Sequence, residues 1–165
     1  MTDQRIEGSF VALITPFNED GSVDYVGFEA LLDFQRSNGT SAVLIMGSTG
    51  EVSMLSPEER KEIVTRTLGH RSGDMKMFYG CTGQHTQGTI DYVRHAAAEG
   101  ADGAIIAAPA YVCASRQAIV DYCLEVADAS TIPLGFYNNP PRVSTDLHVE
   151  DILRLAAHPN ITVLK

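Results

Sequence analysis

Basic residues are scarce in this sequence. Against 21 acidic side chains it sets only 12 lysines and arginines, a formal net charge of −9, with no basic cluster anywhere. Such a chain repels phosphate backbones, so nucleic acid is not expected as a partner. Cysteine is scarce as well. Cys81, Cys113 and Cys123 are odd in number and lack CxxC spacing, which indicates neither a disulfide framework nor a zinc site and fits a reducing cytoplasm. The opening Met1-Thr2-Asp3-Gln4-Arg5 leads only into a short apolar run broken by Pro16, and no stretch approaches the apolar length that spans a bilayer. Neither export nor a membrane partner is expected. No GxGxxG follows the first apolar run and no GxxxxGK(S/T) occurs, so the usual marks of a nucleotide site are missing. His70, His85, His95, His148 and His158 are scattered and read as surface or helix-face residues, and no ligand cluster calls for a metal.

What is present is a repeat. The 165 residues, 44% hydrophobic and 20% charged, have the composition of one globular unit able to bury a core. Residues 9–15, 42–46, 75–79, 103–107, 134–137 and 161–164 read as strands, several apolar on both faces as in a parallel sheet covered by helices. Between them lie helical patterns at 25–37, 56–68, 87–99, 116–129 and 149–157. The first of these gathers Phe28, Leu31, Leu32 and Phe34 largely on one side. The second opens on Ser56-Pro57-Glu58-Glu59, an N-cap serine, a first-turn proline and a capping-box glutamate. The third stops at Gly100, as a C-terminal glycine predicts.

Strands recur about every thirty residues, each preceded by a turn-rich segment, which is the βα repeat of an α/β fold. Periodicity leaves two windings open: a doubly wound open sheet, or a closed (β/α)₈ barrel. No linker or second domain interrupts it. In both folds chemistry gathers at the C-terminal ends of the strands. There the sequence carries Gly47-Ser48-Thr49-Gly50-Glu51 after the second strand and Pro109-Ala110-Tyr111 after the fourth. Tyr137-Asn138-Asn139-Pro140-Pro141-Arg142 closes the fifth, and Lys165 closes the sixth. A lysine ending a buried strand loses hydration, which favours the neutral amine that attacks carbonyls. Glycines around Ser48-Thr49 let the backbone approach a ligand and offer amides to a carboxylate. Taken singly, each group also fits a plainer role: a turn entering a helix, a core Tyr137, a surface Tyr111, a solvated Arg142.

Taken together they carry a resemblance. The run Phe10-Val11-Ala12-Leu13-Ile14-Thr15-Pro16-Phe17, the Gly47–Glu51 turn, Tyr137-Asn138-Asn139-Pro140 and the strand ending in Lys165 resemble, in order and spacing, the dihydrodipicolinate synthase and N-acetylneuraminate lyase family of pyruvate-dependent class I aldolases. The resemblance implies a TIM (β/α)₈ barrel, residues 1–165 forming the N-terminal part of one barrel domain and about its first six strands. It implies that Lys165 forms a Schiff base with pyruvate or a related 2-oxo acid and that Tyr137 shuttles protons. Ser48 and a Tyr111 from a neighbouring subunit would complete the relay. Gly47, Ser48 and Thr49 would hold the pyruvate carboxylate, and Arg142 the carboxylate of a second, aldehyde substrate. No cofactor or metal is implied, because the positive iminium replaces a Lewis acid. Pyruvate, a small aldehyde and further copies of the chain, as a dimer of dimers, are the partners implied.

Arg142 favours the synthase activity, condensation of pyruvate with L-aspartate 4-semialdehyde in lysine biosynthesis. Three departures keep alternatives open. Ser48-Thr49 stands where many synthases have Thr-Thr, a single Tyr111 follows Pro109, and Val143-Ser144-Thr145 replaces the small glycine turn after Arg142. The alternatives are a 2-keto-3-deoxy sugar-acid aldolase or dehydratase, a lyase like N-acetylneuraminate lyase, or a non-catalytic 2-oxo-acid-binding protein. Because a (β/α)₈ barrel needs about 250 residues, the natural polypeptide is expected to continue past Lys165, or to carry a modification there.

Overall fold

Strand pairing begins at Phe10, a few residues into the computed structural model, which describes residues 6–165. The expectation for Met1 to Arg5 lies outside those residues. The chain divides into two compact units, one ending at Gly80 and the other running Cys81–Lys165.

In the first unit three strands, β1 (Phe10–Ala12), β2 (Ala42–Ile45) and β3 (Lys76–Gly80), run parallel with β2 in the middle. Every residue of β2 is buried, which is why its sequence is an unbroken apolar run rather than an alternating one. Phe10 on β1 and Phe78 on β3 meet with ring centroids 5.2 Å apart. Helix α1 (Tyr25–Ser37) starts at Asp24, whose carboxylate accepts the Gly27 amide, and buries Phe28 and Leu32. Phe34, expected on that same face, is 60% exposed. It lies six residues from Phe28, about 240° around a helix of 3.6 residues per turn, and so points away from it. Helix α2 (Pro57–Gly69) has the anticipated capping box: the Ser56 hydroxyl accepts the Glu59 amide and the Glu59 carboxylate accepts the Ser56 amide. Its buried face carries Ile63 and Val64, and its Thr67 hydroxyl donates to the Ile63 carbonyl at 2.6 Å and meets Tyr79 Oη at 2.8 Å.

The second unit repeats the plan with β4 (Gly103–Ala107), β5 (Leu134–Tyr137) and β6 (Ile161–Leu164), parallel and with β5 central. Its helices are α3 (Thr86–Glu99), α4 (Arg116–Asp128), the short α5 (Pro140–Val143) and α6 (Val149–Ala156). Helix α3 ends at Gly100 in the left-handed conformation, φ 93°, the stop its glycine predicts. Helix α4 is the most deeply buried, with Ile119, Val120, Cys123, Val126 and Ala127 turned inward. Burial pushes the Cys123 thiol far above the ordinary cysteine range, so it behaves as a core residue. None of the three cysteines is in a disulfide. Among the described residues no helix is long and apolar enough to cross a membrane.

Candidate active site

The turn after β2 is built by close backbone approach. Met46 leaves the strand with φ 57°, a left-handed conformation for a non-glycine residue. The Gly50 amide then donates to the Gly47 carbonyl at 3.0 Å and the Glu51 amide to the Ser48 carbonyl at 3.3 Å. The buried Thr15 hydroxyl donates to the Gly50 carbonyl at 2.6 Å. Gly50 is required here, since a Cβ would lie 3.0 Å from the Leu13 carbonyl oxygen and 3.2 Å from the Met46 nitrogen. Glu51, again left-handed at φ 53°, leads into a single 3₁₀ turn, Val52–Met54. Gly47, Ser48 and Thr49 thus share one tight turn, with the Ser48 and Thr49 side chains exposed. The turn uses the amides of Gly50 and Glu51 itself. Those of Ser48 and Thr49 have no acceptor among the described residues and remain available to an anion.

In the second unit the structure brings Lys165 and Tyr137 together. The β5–β6 ladder continues one residue beyond β6: the Lys165 amide donates to the Phe136 carbonyl at 2.9 Å, and the Asn138 amide donates to the Lys165 carbonyl at 3.0 Å. The lysine backbone is therefore fixed beside the end of β5, and its Nζ lies 4.3 Å from the centroid of the Tyr137 ring, within cation–π distance. The Tyr137 oxygen accepts a hydrogen bond from Asn139 Nδ2 at 2.9 Å. Lys165 and Thr162 are exposed and Leu164 is 58% exposed, because β6 has β5 as its one partner strand among the described residues.

Arg142 lies on α5 with an exposed side chain. The loop that carries it is cross-braced: Asn138 Nδ2 donates to Asp146 Oδ1 at 3.0 Å, and the Thr145 hydroxyl donates to the Ala114 carbonyl at 2.8 Å. The Thr145 bond ties the Arg142 loop to the loop of Tyr111. Tyr111 itself is 98% exposed and left-handed at φ 76°. Its ring projects from the chain.

The histidines are surface and helix-end residues, as expected. His85 Nδ1 accepts the Gly88 amide at the start of α3, and His70 and His158 meet Asp33 and Asp128 at 2.8 and 3.1 Å. Among the described residues no group of three or more His, Cys, Asp or Glu could hold a metal ion. Two residues absent from the sequence-based site enter it here, Asn139 on the Tyr137 oxygen and Thr145 at the brace. Asn139 followed by two prolines did carry a signal, since proline favours the first turn of a helix.

The model of the dihydrodipicolinate synthetase family matches residues 5–165. The chain belongs to that family. It is 37% identical over 165 residues to the 4-hydroxy-tetrahydrodipicolinate synthase of Gluconacetobacter diazotrophicus, a match covering 100% of this chain and 56% of the relative. It superposes on the dihydrodipicolinate synthase of Acinetobacter baumannii complexed with pyruvate with a TM-score of 0.93 and 32% identity, covering 98% of this chain and 55% of that one. For the enzyme from Aquifex aeolicus the TM-score is 0.91 and the identity 35%, covering 96% and 54%. The chain spans about half the length of the family members it matches. Six parallel strands alternating with helices are the first part of the family's (β/α)₈ barrel, which closes the choice between barrel and open sheet.

Proposed function

We propose that the full-length protein is a pyruvate-dependent class I aldolase that forms its Schiff base on Lys165 and carries out the 4-hydroxy-tetrahydrodipicolinate synthase reaction with L-aspartate 4-semialdehyde. The observation that carries this reading is the Lys165 amine seated on the ring of Tyr137 at 4.3 Å, a nucleophile beside a proton carrier in a chain of the family. The neutral amine adds to the pyruvate ketone carbon, its proton passing to the new alkoxide oxygen to give a carbinolamine. The C–O bond then breaks with protonation, water leaves, and an iminium remains. Loss of a methyl proton gives an enamine, the electron pair draining toward the iminium nitrogen, and its carbon attacks the aldehyde.

Every one of these steps moves a proton. A phenol with an ordinary pKa near ~10 is a weak base at neutral pH unless other hydroxyls share the charge, and the family resemblance implies Ser48 and a Tyr111 of a neighbouring subunit as those hydroxyls. The unspent amides of Ser48 and Thr49 bind the pyruvate carboxylate, with Gly47 giving them room. Arg142, on a braced loop with its guanidinium exposed, takes the carboxylate of the second substrate. The iminium supplies the electron sink, so no metal or cofactor enters the cycle. The catalytic assembly is a homotetramer built as a dimer of dimers, and three cysteines outside any disulfide fit a cytoplasmic setting.

One observation favours a second reading of the aldehyde. Ser144, where the family has a glycine turn, takes the left-handed φ of 56° that glycine adopts without strain, and this altered loop after Arg142 leaves another 2-oxo-acid aldolase or dehydratase as the second reading. Borohydride reduction in the presence of pyruvate should leave a stable adduct on Lys165, and Lys165→Ala should show none. An adduct that persists in that variant refutes the Schiff-base assignment. A panel of aldehydes including aspartate semialdehyde then separates the readings, and trapping without consumption of any aldehyde would identify a 2-oxo-acid-binding protein instead.

A further inference from the structure

Two adjacent asparagines follow Tyr137, and the structure gives them different duties. Asn138 spends its amide on Asp146 at 3.0 Å, bracing the loop. Asn139 is the N-cap of α5, the position where an asparagine side chain ordinarily accepts an amide from the first helical turn. Here it makes no side-chain cap hydrogen bond. The cause lies in the sequence: Pro140 and Pro141 occupy the first two positions and have no N–H to offer, and the third amide, of Arg142, already donates to the Asn139 backbone carbonyl at 2.9 Å. Released from capping, the side chain turns back and donates from Nδ2 to the Tyr137 oxygen at 2.9 Å.

We propose that Asn139 is a positioning residue for proton transfer at Tyr137, a role that rests on the reading of Tyr137 as proton shuttle. An N–H aimed at the phenol oxygen does two things. It occupies one lone pair, so the hydroxyl proton is directed elsewhere, toward the relay and away from the loop. It also stabilises the negative charge that collects on the oxygen whenever the proton leaves, and hydrogen bonds to a charged acceptor are the strong ones. Both effects act on Tyr137 turnover. Neither touches the pyruvate carboxylate or the Lys165 nucleophile.

The test is a double-mutant cycle in the full-length protein. Asn139→Leu keeps the approximate shape and the backbone carbonyl that caps α5 but removes the donor. Asn139→Asp keeps the shape and polarity but offers only acceptors at neutral pH. Both should lower kcat about tenfold, on the scale of one hydrogen bond to a charged group, with KM for pyruvate and the yield of borohydride trapping changed less than twofold. In a Tyr137→Phe background the same substitutions should have no further effect, since the oxygen they act through is gone. Wild-type kcat in Asn139→Asp overturns the proposal, because donation is then irrelevant. An equal loss in both backgrounds overturns it too, assigning Asn139 to the loop structure. If Tyr137→Phe itself turns over normally, the shuttle reading fails and takes this one with it. A slow Tyr137→Phe beside a fast Asn139→Leu removes Asn139 alone.

Discussion

Replacing Gly80 by alanine probes the support beneath the Ser48-Thr49 turn without touching it. Gly80 is the last residue of β3 and is buried. A Cβ added there would lie 1.8 Å from the Met46 carbonyl oxygen, 2.6 Å from its carbonyl carbon and 3.2 Å from the Gly47 nitrogen. Ordinary van der Waals separation is about 3.5 Å, so the new methyl falls short by roughly half the distance it needs. The obstacle is backbone, which no rotamer change removes. Either β3 shifts away from β2, or the Met46 peptide, already left-handed at φ 57°, rotates and carries Gly47 and Ser48 with it. Overpacking a core costs about 1–3 kcal/mol, and more when backbone must move. We therefore expect a loss of about 3 kcal/mol or more, which for a domain of 150–250 residues lowers Tm by roughly 6–12 °C. Thermal unfolding of the full-length variant measures the first effect. The pyruvate concentration needed for half-maximal borohydride trapping measures the second, and it should rise because the amide cradle is displaced. A Tm drop below about 2 °C, less than 1 kcal/mol on the same scale, together with unchanged pyruvate dependence would refute the close approach and the dependence of the turn upon it.

Further consequences are open to measurement. Ser56→Ala removes the hydroxyl that accepts the Glu59 amide and should cost about 1 kcal/mol in urea unfolding; no loss would mean the capping box is unimportant to α2. The Ser56 backbone and side-chain hydrogen bonds hold the Glu59 carboxyl below the ordinary glutamate range, so its stabilising contribution is complete above about pH 4.3. That contribution disappears as pH falls through the lowered folded value, and the stability gap between wild type and Glu59→Gln should close only in acid. Thr89→Val takes from the Gly83 amide its acceptor at 2.8 Å and from Tyr122 Oη a partner at 2.9 Å; about 1–3 kcal/mol should be lost, and a change within about 0.5 kcal/mol, typical of neutral surface substitutions, would refute this. Mixing inactive Tyr111→Phe with inactive Lys165→Ala should restore activity in verified hybrid dimers, since one site then regains both groups; no recovery there refutes the shared site.

Strands β4, β5 and β6 and helix α1 begin and end where the hydrophobic pattern predicts, and the reason is local. β4 and β5 are short, mostly buried apolar runs bounded by turn-rich segments, β6 is bounded in the same way, and α1 is framed by a capping aspartate. The departures come where tertiary contacts set the ends. β1 was expected over 9–15 but spans Phe10–Ala12; the Leu13 amide still donates to the Leu44 carbonyl at 2.9 Å, after which Ile14 is exposed and Thr15 holds the Gly50 carbonyl. Residue alternation cannot reveal a hydroxyl bonded to a carbonyl 35 positions away. Helix α5 was missed because four residues give no period to read.

Site legibility follows the same division. The proximity of Lys165 and Tyr137 was legible because each is the end of a strand, and adjacent parallel strands bring their ends together by topology alone; the register Leu134 to Ile161 and Phe136 to Leu164 does the rest. Ser48 and Thr49 were legible from the glycines that flank them. The cover of β6 cannot be read from its own residues, since strand coverage is a property of neighbours and not of the strand. Asn139 was hidden for a subtler reason. An asparagine before two prolines stands where capping is usual, and capping holds for the backbone, whose carbonyl accepts from Arg142. It fails for the side chain because the prolines that favour the turn also delete the donors the cap would bind. The amide is then left to seek a partner within two residues, and the phenol of Tyr137 is the one it finds.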